Sequence, residues 1–250
     1  MKQQVKLSGF LTLLCLIAML ISIPYMVAIF GNSPATSKIS LHNLLIITIV
    51  QNVISAFLFA WLGLIMGKAL GLDAPIFRRW IMKTGAARFQ KRNVLFSLLA
   101  GVIVTLITLG LDYFVFLPHF RELAEKAPKV SHIAGLLTFM QGGVFEEVQV
   151  RLFIMTLIVW ILFKLFGRKN GTEPWMYWIG IVGAALIFGI GHLPAAQQLF
   201  GTITPIFFVR TIVLNGFPGL LFGYLYWKKG LEYAMIAHAI GDIILHGLFS

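Results

Sequence analysis

Seven apolar runs follow one another along this chain, joined by short polar connections, and that pattern leaves little choice of fold. They cover about 9–30, 44–70, 95–117, 133–166, 175–193, 203–227 and 231–249. Each is close to or longer than the roughly 20 residues a helix needs to cross a bilayer. The composition agrees. The 250 residues are 59% hydrophobic and 12% charged, with a mean hydropathy of +0.90, where soluble domains have about 25% charged residues. The expected fold is all-α, a polytopic transmembrane helix bundle of about seven spans, or eight if the fourth run divides at Gly142-Gly143. Residues 1–250 read as a single integral membrane domain, with N-terminal spans over 1–130 and a core over 131–250. The first run follows Lys2 and Lys6, is interrupted by Pro24, and is too long for the roughly 7–15 apolar residues of a signal peptide.

The net charge of +11 is distributed as a membrane protein distributes it, and it marks no nucleic-acid surface. With the N-terminus in the cytoplasm and sides alternating through seven spans, fourteen Lys and Arg fall inside and four outside. That is the positive-inside asymmetry. The largest inside share is the connection holding Arg78, Arg79, Lys83, Arg88, Lys91 and Arg92. The expected location is a bacterial-type plasma membrane, multi-pass, with a cytoplasmic N-terminus and lipid as the first partner. Cysteines introduced at Arg88 and Ala127 should label from opposite sides of the membrane; labelling from one side would remove this topology. The single Cys15 excludes an intramolecular disulfide and any multi-cysteine zinc site.

Inside the fourth run stands Phe145-Glu146-Glu147-Val148-Gln149-Val150-Arg151. An ionisable side chain at bilayer depth costs roughly 2.5–3.5 kcal/mol on insertion scales and marks function by default. Residues four apart share a helical face, so Glu147 and Arg151 are placed to pair, while Glu146 points elsewhere and is not neutralised. A carboxylate left unpaired in a low-dielectric site is suited to act as a base. Gly142-Gly143 ahead of it is a break point or a place of close helix contact.

Two later runs deliver histidines. His192 ends the fifth, in Phe188-Gly189-Ile190-Gly191-His192. His238 and Asp242 lie four apart in the seventh, on one face; His246 continues that face but drifts by about 80° at 3.6 residues per turn. Lipid takes none of these groups, so all must face a common interior. Glu146, His192 and His238 also make up a possible Zn²⁺ ligand set, with Asp242 as a fourth group, although no His-Glu-x-x-His helix is present.

Glu146-Glu147-x-x-x-Arg151, Phe188-x-x-x-His192 and His238-x-x-x-Asp242, in that order, resemble the three motifs of the CPBP family, the CAAX protease and bacteriocin-processing (Abi, type II CAAX prenyl endopeptidase) intramembrane peptidases. Residues 219–231 resemble the stretch that family has before its third motif, and the likeness spans about 141–245. Where the family commonly has a glycine soon after the arginine and an asparagine in the third motif, this chain has Leu152-Phe153 and Asp242. The resemblance implies hydrolysis of a peptide bond in a membrane-anchored peptide or protein. Glu146 and His192 would activate water, His238 with Asp242 would stabilise the oxyanion or bind a metal, and Glu147 with Arg151 would be a structural ion pair. It leaves a glutamate mechanism and a zinc metallopeptidase both open. Two other classes stay beside it: a non-catalytic membrane scaffold or chaperone of the same fold, and an ion- or proton-coupled transporter.

Overall fold

The computed structural model describes residues 1–31, 39–120, 130–167, 171–200 and 203–249, with side chains 198–200 excluded. Most of the connections expected over 31–40 and 119–131, with Ala127, and also Arg168 and Lys169, lie outside the described residues.

The chain runs through ten helices among the described residues. They are α1 (Lys2–Ile21), α2 (Ile23–Phe30), α3 (Leu41–Gly67), α4 (Pro75–Met82), α5 (Lys91–Leu111), α6 (His132–Phe166), α7 (Pro174–Gly191), α8 (Leu193–Phe200), α9 (Pro205–Lys229) and α10 (Leu231–Asp242). Wider π-type turns prolong α5 over Asp112–Phe116 and α10 over Ile243–Leu248. Among the described residues six helices are long and apolar enough to cross a membrane: α1, α3, α5 with its extension, α6, α7 continued into α8, and α9. The seventh apolar run folds as α10 and its extension. It is packed against α5, α9 and α6.

The distribution of side chains is that of a bundle in lipid. On α5, Leu95, Leu99 and Ile103 are more than half exposed, while Ser97, Gly101, Val104, Thr105 and Thr108 are buried. Large apolar groups face outward, and small residues face inward, where they allow close helix approach. The interior joins Leu7 and Leu11 of α1, Leu64 of α3, Leu152 and Met155 of α6, Ile181 of α7 and Tyr226 of α9, all fully buried or nearly so.

Three local features shape the site. The first is the bend between α1 and α2. Pro24 has no N–H to continue the helix, and the Ser22 hydroxyl donates to Ala18 O (2.8 Å) and to Leu137 O (3.3 Å), which ties the bend to α6. The second is α6 itself. Its irregularity is a turn at Leu137–Thr138, followed by π-type turns over Gln141–Glu146 and Val148–Met155. No break occurs at Gly142-Gly143, so the eight-span alternative falls away and the close-contact reading of these glycines holds. A Cβ on Gly142 would fall onto Asp242 Oδ2 and His238 Nε2, and one on Gly143 would meet Ala239 and Met235 O. The third feature is α4, a short helix in the basic connection. Its first two free amides, Ile76 and Phe77, each donate at 2.8 Å to Glu232 Oε1 at the start of α10. A carboxylate from another helix thus caps the positive end of this one.

Candidate active site

The middle of the bundle gathers Glu146, Glu147 and Arg151 from α6 with His238 and Asp242 from α10. Glu147 is its anchor. Its side chain has no exposed surface, and Oε1 lies 2.8 Å from His238 Nδ1 and 3.5 Å from Arg151 Nε. A carboxylate accepts, so Nδ1 of His238 carries the proton of that bond and Nε2 is turned the other way. The Glu147–Arg151 pair is present as its spacing requires. The bond to His238 gives Glu147 a second role, orienting the imidazole as well as neutralising the arginine.

Arg151 is 1% exposed. Its guanidinium lies between two aromatic rings, 5.3 Å from the centre of Phe188 and 5.4 Å from that of Phe222, and Nη2 donates to Gly219 O (3.3 Å). Ring faces and one carbonyl thus replace part of the solvation lost on burial. The same rings hold His238: Phe222 stacks on it at 4.5 Å, and Phe188 stands edge-on at 6.1 Å. Imidazole and guanidinium are therefore fixed by one pair of phenylalanines and one carboxylate.

His238 Nε2 faces two further carboxylates, Glu146 Oε2 and Asp242 Oδ1, each at 3.7 Å. Both distances exceed a direct hydrogen bond. The Glu146 side chain is 22% exposed and that of Asp242 13%, whereas Glu147 and Arg151 are closed off. Of the two adjacent glutamates, one is locked inside and the other borders the accessible space. Both glutamates lie where π-type turns run through α6, and such turns are frequent at functional sites.

His192 stands to one side. Its Nδ1–H donates to Phe188 O (2.8 Å), and its ring meets the Phe188 ring edge-on at 4.5 Å. Among the described residues it forms no hydrogen bond or ion pair with Glu146, His238 or Asp242; Phe188 is the element that touches both histidines. Neither does any group of three or more His, Cys, Asp or Glu among the described residues have the arrangement to hold a metal ion. As placed, Glu146, His192 and His238 are not gathered into one such group.

Two neighbours were not expected from the sequence. His246 comes back toward the site because the π-type turns of Ile243–Leu248 hold more residues per turn, which offsets the drift of a regular α-helix. It lies within electrostatic range of Glu146, His238 and His192. Tyr25 of α2 packs edge-on against it at 6.0 Å, within range of Asp242 and Glu146. Elsewhere, Arg210, an unassigned charge in the sixth run, forms a two-pronged ion pair with Asp112 at 2.6 and 2.7 Å, joining α9 to the end of α5.

Residues 128–244 match the family model described as type II CAAX prenyl endopeptidase, Rce1-like. The matched segment contains Glu146, Glu147, Arg151, His192, His238 and Asp242, and it excludes α1 to α5. No curated protein and no solved structure matches the chain.

Proposed function

We propose, from the premise that this chain belongs through residues 128–244 to the Rce1-like family of type II CAAX prenyl endopeptidases, that it is an intramembrane endopeptidase cutting a peptide bond in a membrane-anchored peptide or protein. One observation carries the reading. Glu146 borders accessible space beside a histidine whose far nitrogen is held by a second, buried glutamate. In the proposed reaction Glu146 takes a proton from a water held to one side of the gap between its carboxylate and His238 Nε2. The oxygen attacks the scissile carbonyl, and Glu146 returns the proton to the leaving amine. Hydrogen-bonding from His238 to the developing oxyanion lowers the barrier, with Asp242 sustaining the positive charge on the ring. His192, with Nδ1 engaged by Phe188 O, has Nε2 left to accept from the attacking water once substrate brings the groups together. Glu147 and Arg151 position His238.

The proposed setting is a bacterial-type plasma membrane with the N-terminus in the cytoplasm, and substrate that reaches Glu146 from the lipid phase. No step is assigned to a metal. Protein stripped of metal by chelation, verified by mass spectrometry, should cleave a membrane-anchored peptide at the rate of untreated protein. Loss on chelation with recovery on adding Zn²⁺ would overturn the glutamate mechanism while leaving the peptidase assignment.

A further inference from the structure

Away from the site, an open cleft of about 760 Å³ lies where α1 begins and α3 ends. Its lining includes Lys2, Gln4, Lys68, Asp73 and Arg78. The charges are not equivalent. Both oxygens of Asp73 are taken by the Arg78 guanidinium, which also donates to Gln4 Oε1 at 2.9 Å, and Gln4 Nε2 donates to Leu64 O at 3.3 Å. The one carboxylate among the described lining residues is thereby neutralised. Lys2 and Lys68 are exposed and form no ion pair among the described residues, so the cleft is left cationic.

We propose that this cleft binds the phosphate of an anionic phospholipid headgroup. The chemistry recognised is a phosphate monoanion or dianion, and the surroundings favour the lipid as its source. Val5 and Ile65, next in sequence to the Gln4–Leu64 bond, are 44% and 42% exposed on α1 and α3. A headgroup held by Lys2 and Lys68 would let its acyl chains run along those helices. The cleft also lies on the side of the sequence's positive-charge excess, where anionic lipid binds basic residues at about a factor of five per cation.

Occupancy would reach α10 through short connections. The backbone O of Asp73 accepts from Leu231 N at 3.2 Å, and Glu232, 1% exposed, holds the amides of Ile76 and Phe77. A bound headgroup would stiffen the 68–78 connection and with it the start of the helix that carries His238 and Asp242. The binding does not depend on the peptidase reading, and its test involves no turnover.

The experiment titrates the full-length protein in neutral detergent with phosphatidylglycerol, phosphatidylcholine and inorganic phosphate. Native mass spectrometry counts bound lipid, and hydrogen exchange follows the amides of Ile76, Phe77 and Leu231. One phosphatidylglycerol should bind in preference to phosphatidylcholine, slow those amides, and bind more weakly in high salt. The Lys2→Gln/Lys68→Gln double variant, which keeps the Arg78–Asp73 pair, should bind on the order of thirtyfold more weakly. Equal affinity for the two lipids, or no loss in a folded double variant, would overturn the proposal. Protection by inorganic phosphate equal to that by phosphatidylglycerol would overturn the lipid as the occupant. Should the double variant fail to fold, the wild-type lipid preference and salt dependence decide alone.

Discussion

Glu146→Gln should lower turnover of a membrane-anchored peptide by about 10²–10⁴-fold, the usual worth of a general base, and should leave the protein folded. Both halves follow from where the side chain sits. Its ion-pair contact is with His238 Nε2 at 3.7 Å, and it is partly exposed, so an amide of the same shape costs little packing. The amide has no lone pair basic enough to take a proton from water. His238 stays in place because its hold is Glu147 and the Phe222 ring. Circular dichroism and size-exclusion profiles matching wild type, with cleavage lost, are the expected combination. A folded Glu146→Gln protein at wild-type rate would remove Glu146 as the base.

Glu147→Ala should fail differently, by losing the fold before it loses the chemistry. Removing this carboxylate leaves Arg151 at 1% exposure with its nearest counter-ion gone, and deprives His238 Nδ1 of its acceptor. Arg151 Nε and Nη1 have no hydrogen-bond partner even in the intact protein, so the Glu147 charge is the main compensation for burying the guanidinium. Breaking one side of a buried pair costs roughly 3–5 kcal/mol, a large fraction of the roughly 5–15 kcal/mol that holds a domain together. The yield of monodisperse protein and the thermal midpoint should both fall sharply, and Glu147→Ala/Arg151→Met should recover part of the loss by removing the orphaned charge. Midpoints for Glu147→Ala and Glu146→Gln that fall equally would contradict the division of roles between the two glutamates.

How much of this was open to a reader of the sequence depends on the range of each interaction. The helices were legible because lipid imposes length and hydropathy on every span. The i,i+4 pairs Glu147–Arg151 and His238–Asp242 were legible because helical geometry alone places them together. The bond from Glu147 to His238 was not, since its partners lie 91 residues apart and only the packing of α10 on α6 joins them. The same holds for Arg210 with Asp112 and for Glu232 with the amides of α4. The π-type turns of α6 and α10 were hidden for another reason. Nothing in residue type distinguishes them from α-helix, yet they change the register of the side chains that follow them. His192 was expected beside Glu146 and instead rests on Phe188, because it follows the last turn of α7, where the backbone N–H of His192 closes onto Gly189 O and the chain turns into α8.

The central claim is that a water activated by Glu146 cleaves a peptide bond within the membrane. The most direct measurement uses wild-type and Glu146→Gln protein in lipid vesicles, each supplied with a panel of membrane-anchored peptides that includes a prenylated one ending in a CAAX sequence. The reaction is run in H₂¹⁸O and read by mass spectrometry. Wild type should yield a cut peptide with one ¹⁸O in the new carboxylate, and the variant should yield none. Intact peptides throughout from folded wild-type protein, or equal ¹⁸O-labelled product from both proteins, would contradict it.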